Sequence, residues 1–347
     1  MAAARRPTLN DLAEDLGLSA NTVSRALTGK DGVSPRTREL VLRQAQLSGY
    51  TVATRTAPTT RTVALVVTSA TNVFISELIT AVESACRAAG YSMELHITEE
   101  STEQEEHVIT AMLDSELAGA IVIPVQGGDD PWERVAARMP IVTVAREIPS
   151  LDCDFVGVDA RGAMYAATRH VVSSGGKTLV LLDEDLDNST IRARAQGFFD
   201  ALADSPDADG RIVHIPTRRF ESSTIPWQPE EARRRCLEII DEGIDFDAIL
   251  VADDYYALGV LSALKERGQH VPDDVLLMGY GNHPYSGYLT PALSTLGPPV
   301  DLIGEIAVSS LLQRITGDVG PRRHRLVKTE LVIRESTVGD LGRTTRS

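Results

Sequence analysis

The chain has 347 residues, 43% of them hydrophobic, three cysteines and a formal net charge of −15. It is too long for one ordinary domain and apolar enough for packed cores, but no run approaches the roughly eighteen uninterrupted apolar residues of a membrane span. Cys86, Cys153 and Cys236 lie far apart without metal-ligand spacing, which points to reduced thiols. Met1-Ala2-Ala3-Ala4-Arg5-Arg6 lacks the apolar centre of a secretion signal, so a cytoplasmic location is expected. The charge is divided unevenly: residues 1–62 carry nine Lys and Arg against five Asp and Glu, the remainder 25 against 44. Only the N-terminal segment attracts phosphate; the acidic remainder stays off a nucleic-acid backbone.

Two short helices joined by a tight turn come first. Thr8 fits an N-cap with Asp11 as the returning member of a capping box, and Leu9, Leu12, Ala13 and Leu16 share one helical face. Gly17 supplies the exit and Ser19 caps a second helix whose Val23, Ala26 and Leu27 face inward. Its outward face carries Ala20, Asn21, Thr22, Ser24 and Arg25. Arg suits a guanine edge, Asn an adenine edge, and Ser and Thr hydroxyls suit phosphates, so this helix fits a major groove. A helical hairpin buried in a core is the other reading; the agreement of faces, turn and caps favours the DNA reader.

A third helix is expected from Ser34 as N-cap and Pro35 at its first position through Gln46, stopped by Gly49, with Val41, Leu42, Ala45 and Leu47 closing a three-helix core. The ordered pattern Leu12-Ala13 to Leu16-Gly17-Leu18-Ser19, Thr22-Val23-Ser24-Arg25-Ala26-Leu27, Val33-Ser34, Thr37-Arg38 and Gly49-Tyr50 resembles the head of the LacI/GalR family of bacterial repressors. The resemblance implies that Ala20, Asn21 and Arg25 read bases. Candidate DNA contacts are Thr8, Ser19, Ala20, Asn21, Thr22, Ser24 and Arg25 in the head, with Val52 and Arg55 beyond it.

Residues 51–62 hold six threonines, Pro58 and no leucine, a poor helix and a plausible linker. The resemblance implies here an Ala/Arg/Leu-rich hinge helix whose leucine wedges into the minor groove, and this sequence departs from it. Two outcomes stay open: a short hinge over 52–57, in which Val52 or Arg55 enters the groove, or a disordered linker.

From Thr62 strands are expected at 63–67, 92–97, 120–123, 141–144, 178–182, 211–215, 248–251 and 275–278. Helices are expected at 74–89, 102–115, 132–138, 161–173, 190–203, 229–242 and 255–267. Apolar strands spaced by amphipathic helices imply parallel sheets covered on both faces, and two such series imply two α/β lobes with a ligand cleft between them. The division expected is a helix-turn-helix domain at 1–50, a linker at 51–61 and a two-lobed effector-binding body at 62–340. Lobe 1 takes about 62–158 and 290–322, and lobe 2 about 159–289 and 323–340.

The body too is similar to the LacI/GalR family, whose sensor is shaped like a periplasmic sugar-binding protein. Matching stretches include Val158-Asp159, Arg161-Gly162-Ala163, Arg194-Ala195-Gln196-Gly197-Phe198, Val271-Pro272-Asp273-Asp274-Val275 and Arg334-Glu335-Ser336-Thr337. By that resemblance Arg194 forks ligand hydroxyls or a carboxylate, Trp227 stacks on the ligand or is an ordinary core tryptophan, and Asn72, Phe74, Arg146, Asp253 and Asn282 line the cleft. Asp253 stands where the family carries Asn, and Gly281 where relatives commonly carry Asp, so a different ligand, or one held differently, is expected.

Catalytic readings fail. Gly175-Gly176-Lys177-Thr178 ends like a phosphate loop, but Val171 occupies the position of the required earlier glycine. The seven histidines show no His-x-x-x-His, Asp129-Asp130 and Asp273-Asp274 fit turns, and Asn188-Ser189-Thr190 is a glycosylation sequon of no consequence in a cytosolic chain. No metal and no cofactor is expected. The sequence thus describes a ligand-responsive transcriptional regulator, most often a repressor in this family. It would bind a pseudo-palindromic operator as a homodimer or tetramer and take a small effector, foremost a carbohydrate. A sugar-binding receptor with a vestigial head and a sugar-processing enzyme are the alternatives, separated by operator binding and by ligand turnover.

Overall fold

Gly17 and two capping serines set the geometry of the head. In the computed structural model, which describes residues 9–27, 32–48, 60–125, 131–216 and 229–339, α1 spans Leu9–Leu16, α2 Ala20–Leu27 and α3 Pro35–Ser48. Gly17 has φ +61°. Its amide donates to the Glu14 carbonyl at 3.2 Å, and the Leu18 amide to the Ala13 carbonyl at 2.9 Å, a Schellman motif that satisfies the end of α1. Ser19 Oγ accepts from the Thr22 amide and Ser34 Oγ from the Thr37 amide, each at 3.1 Å, capping α2 and α3. Leu12, Ala13, Val23, Ala26, Val41 and Ala45 form the buried core, with Leu16, Leu18, Ala20 and Leu27 at its edge. The expectations for Thr8, for Gly49 and for the side chains of Leu9, Leu42 and Leu47 lie outside the described residues, as does the linker through residue 59.

The chain parts into two compact units, one of residues 1–58 with 313–321 and one of 59–312 with 322–347. The second begins with β1 (Thr62–Val67), α4 (Val73–Ala88), β2 (Ser92–Ile97), α5 (Thr102–Asp114), β3 (Gly119–Val122), α6 (Glu133–Ala136), β4 (Ile141–Val144) and β5 (Asp154–Val158). It continues with α7 (Ala160–Ser173), β6 (Thr178–Glu184), α8 (Ser189–Ala203), β7 (Asp209–Ile215), α9 (Pro229–Asp241), β8 (Ala248–Val251), α10 (Asp254–Glu266) and β9 (Leu276–Tyr280). Last come β10 (Ser294–Gly297), α11 (Val300–Ile315), β11 (His324–Val327) and β12 (Glu330–Val332). One sheet runs β11-β5-β4-β3-β1-β2 and the other β12-β10-β9-β8-β6-β7; every pairing is parallel except β10 with β12. Inner strands such as β3, β4 and β8 are buried along their whole length, as helices on both faces require.

The lobe boundaries need correction. Residues 290–297 belong to the second lobe, because β10 pairs with β9 in the register Ser294↔Met278. Conversely β11 pairs with β5, His324↔Phe155, which returns 323–327 to the first lobe. The chain therefore crosses between lobes after Val158, after Gly297 and between Val327 and Glu330. Both reassigned strands are short and carry Ser, Thr, His or Arg in place of an apolar run, so periodicity did not mark them. Helix α11 packs on α4 closely enough that a Cβ on Gly304 would lie 2.6 Å from the Ala81 Cβ.

Candidate functional site

The cleft forms where the carboxyl ends of both sheets meet. Thr68, Ile123 and Arg146 follow strands of the first lobe; Glu184, Asp253 and Gly281 end or follow strands of the second. Two helix N-caps meet across it. Asn72 caps α4, its Oδ1 accepting from the Ile75 amide at 3.2 Å, and Asp253 caps α10, its Oδ1 accepting from the Tyr255 amide at 2.8 Å. The remaining atoms of these two caps bond to each other: Asn72 Nδ2 donates to Asp253 Oδ2 at 3.3 Å. Thr190 Oγ1 also donates to the Ala145 carbonyl at 2.7 Å, and the Glu147 amide to Ser189 Oγ at 3.1 Å. Ala145 sits at φ +61°, a conformation that a non-glycine residue adopts rarely. Asn72, Phe74, Arg146, Arg194 and Asp253 all line the cleft as expected.

Arg194 does not offer a free fork. Its Nε donates to Asp183 Oδ2 at 2.9 Å and its Nη2 to Asp183 Oδ1 at 2.6 Å, and its Cζ lies 5.7 Å from the Tyr280 ring centroid. Arg146 is held likewise by Glu100, at 2.8 and 2.5 Å, with the Pro124 carbonyl at 3.2 Å. Burial works against the charge on both guanidiniums, and the carboxylates more than offset it, so both pKa values stand above the usual one. Glu184 sits between these pairs, 7% exposed. Burial pushes its pKa up to about 8, with Arg194 and Arg146 pulling it down and Asp183 and Glu100 adding to the rise.

Asn282 is the site residue that the structure removes. It is exposed, does not line the cleft, and its Oδ1 accepts from Arg334 Nη2 at 2.7 Å. At φ +51° it turns the loop away and brings His283 in. The His283 ring fills the space beside Gly281: a Cβ on that glycine, at φ +129°, would lie 2.5 Å from His283 Cε1. The space beside Gly281 is thus filled by a histidine, Nε2 3.2 Å from Asp253 Oδ1. Burial lowers the His283 pKa, but the Asp253 bond and the charges of Asp253, Asp254 and Glu77 outweigh it and the net shift is upward. Asp254 is structural: it accepts from Ser286 Oγ, Thr295 Oγ1 and the His283 amide. Sequence reading missed Glu184 and His283. A glycine where a side chain is expected, followed two residues later by a large polar one, was the available signal for the second.

In the head, Asn21 is exposed, whereas Ala20, Thr22, Ser24 and Arg25 are half-buried. Ser19 Oγ and Thr22 Oγ1 lie 2.8 Å apart, so these hydroxyls serve the cap first. The Arg25 guanidinium rests by the next loop, 3.1 Å from where a Gly32 Cβ would stand. Thr8, Val52, Arg55 and Trp227 lie outside the described residues. No cluster able to hold a metal ion occurs among the described residues, and no helix there is long and apolar enough to cross a membrane.

A helical reader ahead of a two-lobed α/β binding body defines the class, and comparison with known proteins agrees. The periplasmic binding protein-like domain matches residues 168–337. The HTH-type transcriptional repressor PurR of Mannheimia succiniciproducens is 28% identical over 335 residues, covering 95% of this chain and 98% of the relative. The HTH-type transcriptional regulator CelR of Thermobifida fusca is 28% identical over 346 residues, covering 96% and 98%. The solved structure of a transcriptional regulator CelR–cellobiose complex superposes with a TM-score of 0.69 at 26% identity, over 95% of this chain and 100% of that one. The lac repressor dimer bound to operator and an anti-inducer shares the fold, with a TM-score of 0.69 at 24% identity over 96% and 100%. Along nearly its whole length the chain is similar to transcriptional regulators of the LacI type, and the solved structure of a transcriptional regulator of the LacI family from Sanguibacter keddieii superposes with a TM-score of 0.69 at 25% identity, over 80% of this chain and 98% of that one. It is a regulator and not an enzyme.

Proposed function

We propose that this regulator binds a pseudo-palindromic operator as a homodimer and that a small polar metabolite in the cleft, a carbohydrate or a relative of one, sets its operator affinity. Asn21 and Arg25 read base edges from α2, Ser19, Thr22 and Ser24 lie near phosphates, and one recognition helix is too short to specify a site alone, which calls for two. The observation that carries the effector half is the Asn72–Asp253 bond: both are helix N-caps, one from each lobe, so a ligand that engages either competes with a tie between lobes. A ligand with different contacts to the two lobe arrangements shifts their populations, and only such a ligand can regulate. The lac repressor structure is of a dimer on its operator and the CelR structure is of a complex with cellobiose, which supports the pairing of the two roles. A regulator acting on bacterial DNA would work in the cytoplasm. Gel shifts on a palindromic operator, with and without candidate sugars, test the reading: specific binding that a returned, unmodified ligand alters is expected, and absence of specific binding overturns it.

A further inference from the structure

The cleft holds one acid whose carboxyl takes no hydrogen bond among the described residues. Five buried carboxyls stand in or beside it, and four are matched: Glu100 by Arg146, Asp183 by Arg194, Asp253 by Asn72 and His283, and Asp254 by Ser286, Thr295 and the His283 amide. Glu184 lines the cleft at 7% exposure, and its carboxyl makes no hydrogen bond among the described residues. The nearby cations are committed elsewhere, since Arg146 and Arg194 each fork the carboxylate of another residue.

We infer that Glu184 receives a protonated amine of the effector, so that the ligand class is a cationic, amine-bearing polar metabolite such as an amino sugar. This rests on the reading of the cleft as the effector site and narrows it. An anionic ligand, phosphate or carboxylate, would find both guanidinium forks occupied and would add a further negative charge beside buried carboxylates. An uncharged ligand would leave Glu184 either ionised without a counter-charge or neutral. A buried carboxylate is stabilised chiefly by an ionised donor, and the ammonium is the donor that the surroundings withhold. The proton balance follows. With its pKa at about 8, Glu184 is mostly protonated at pH 7 in the empty cleft. When the ammonium binds, that proton leaves to solvent and the ion pair forms, so binding releases about one proton.

The test uses the full-length protein and its Glu184→Gln variant. The probes are glucosamine, galactosamine and the chitosan disaccharide, their uncharged counterparts glucose, galactose and cellobiose, and the anions gluconate and glucose 6-phosphate. Melting temperature is read first, then titration calorimetry in two buffers of different ionisation heat. An amine probe should bind about ten-fold or more tighter than its uncharged counterpart, release about one proton, and lose that advantage in Glu184→Gln. The variant's circular dichroism should match wild type. Equal binding of an uncharged or anionic probe by both proteins, or no binding of any amine probe, overturns the inference. If such an uncharged or anionic probe also shifts operator binding in the gel, the regulator reading stands and only the amine falls. If no operator is bound specifically, it is the regulator reading that falls.

Discussion

Arg194→Ala separates a residue that holds the fold from one that merely touches ligand. Asp183 is 1% exposed and takes two charge-assisted bonds from Arg194, at 2.9 and 2.6 Å. Truncating the arginine strands a buried carboxylate, a change that costs about 3–5 kcal/mol, with the lost contact over Tyr280 adding up to about 1 kcal/mol. For a domain this large each kcal/mol is worth about 2–4 °C, so the body should melt roughly 6–24 °C lower. Replacing both partners by apolar residues, Asp183→Leu with Arg194→Met, removes the stranded charge and should recover most of the loss. Thermal unfolding followed by circular dichroism measures both. An Arg194→Ala protein melting within about 2 °C of wild type, or a double variant as unstable as the single, would refute the reasoning. A loss of ligand response in Arg194→Ala must then be read against this loss of stability.

Glu184 makes stability depend on pH. Its folded pKa of about 8 exceeds the ordinary 4.5, so in that window the folded state keeps a proton that the unfolded chain has released. Stability falls as pH rises through the window, by up to about 1.4 kcal/mol per unit, and Glu184→Gln should gain on wild type steadily from pH 5 to pH 8 in melting experiments. Gly281→Ala should destabilise through both its φ of +129° and the His283 ring; His283→Ala added to it should restore only part of the melting temperature, because the backbone strain remains. Arg25→Ala should cost about 1–3 kcal/mol on the cognate operator and relax one base position in competition gel shifts. An unchanged ratio of cognate to scrambled binding sinks that role. Residues 51–62 contain no leucine, so operator bending in circular-permutation gels should be weaker than for leucine-hinged relatives, with little penalty for changed central base pairs; strong bending contradicts this.

Where a strand is a solid apolar run the sequence is enough. Ile141–Val144 and Ala248–Val251 are observed at the expected residues because burial on both faces leaves no other composition. In strand β5, Asp154 and Gly157 interrupt the apolar run and hide it from periodicity. In helix α11 the apolar residues are spread around the helix and define no single face, so the sequence alone does not mark it. The site divides the same way. Asn188 illustrates how motif and role part: as a sequon it meant nothing, and in the fold its Oδ1 accepts from the Ile191 amide at 3.0 Å to cap α8. Arg146 and Arg194 were legible as cleft residues, but their partners lie 46 and 11 residues away. Pairing over such separations is decided by the sheet and leaves no local mark. His283 was hidden for the same reason, since what admits its ring is a missing side chain at Gly281.

The three crossings between lobes, after Val158, after Gly297 and between Val327 and Glu330, make each lobe a patchwork of separate chain segments. Neither can be cut out as a contiguous fragment, so a gene encoding half of the body would yield an unfinished sheet with an open edge. The same threading governs tolerance to insertion. Lengthening one crossing leaves two others of fixed length, and these keep the lobes in step, as a door on three hinges still swings true when one is loose. An insertion in any single strap is therefore expected to leave both sheets intact, whereas loosening two at once would free the halves from each other.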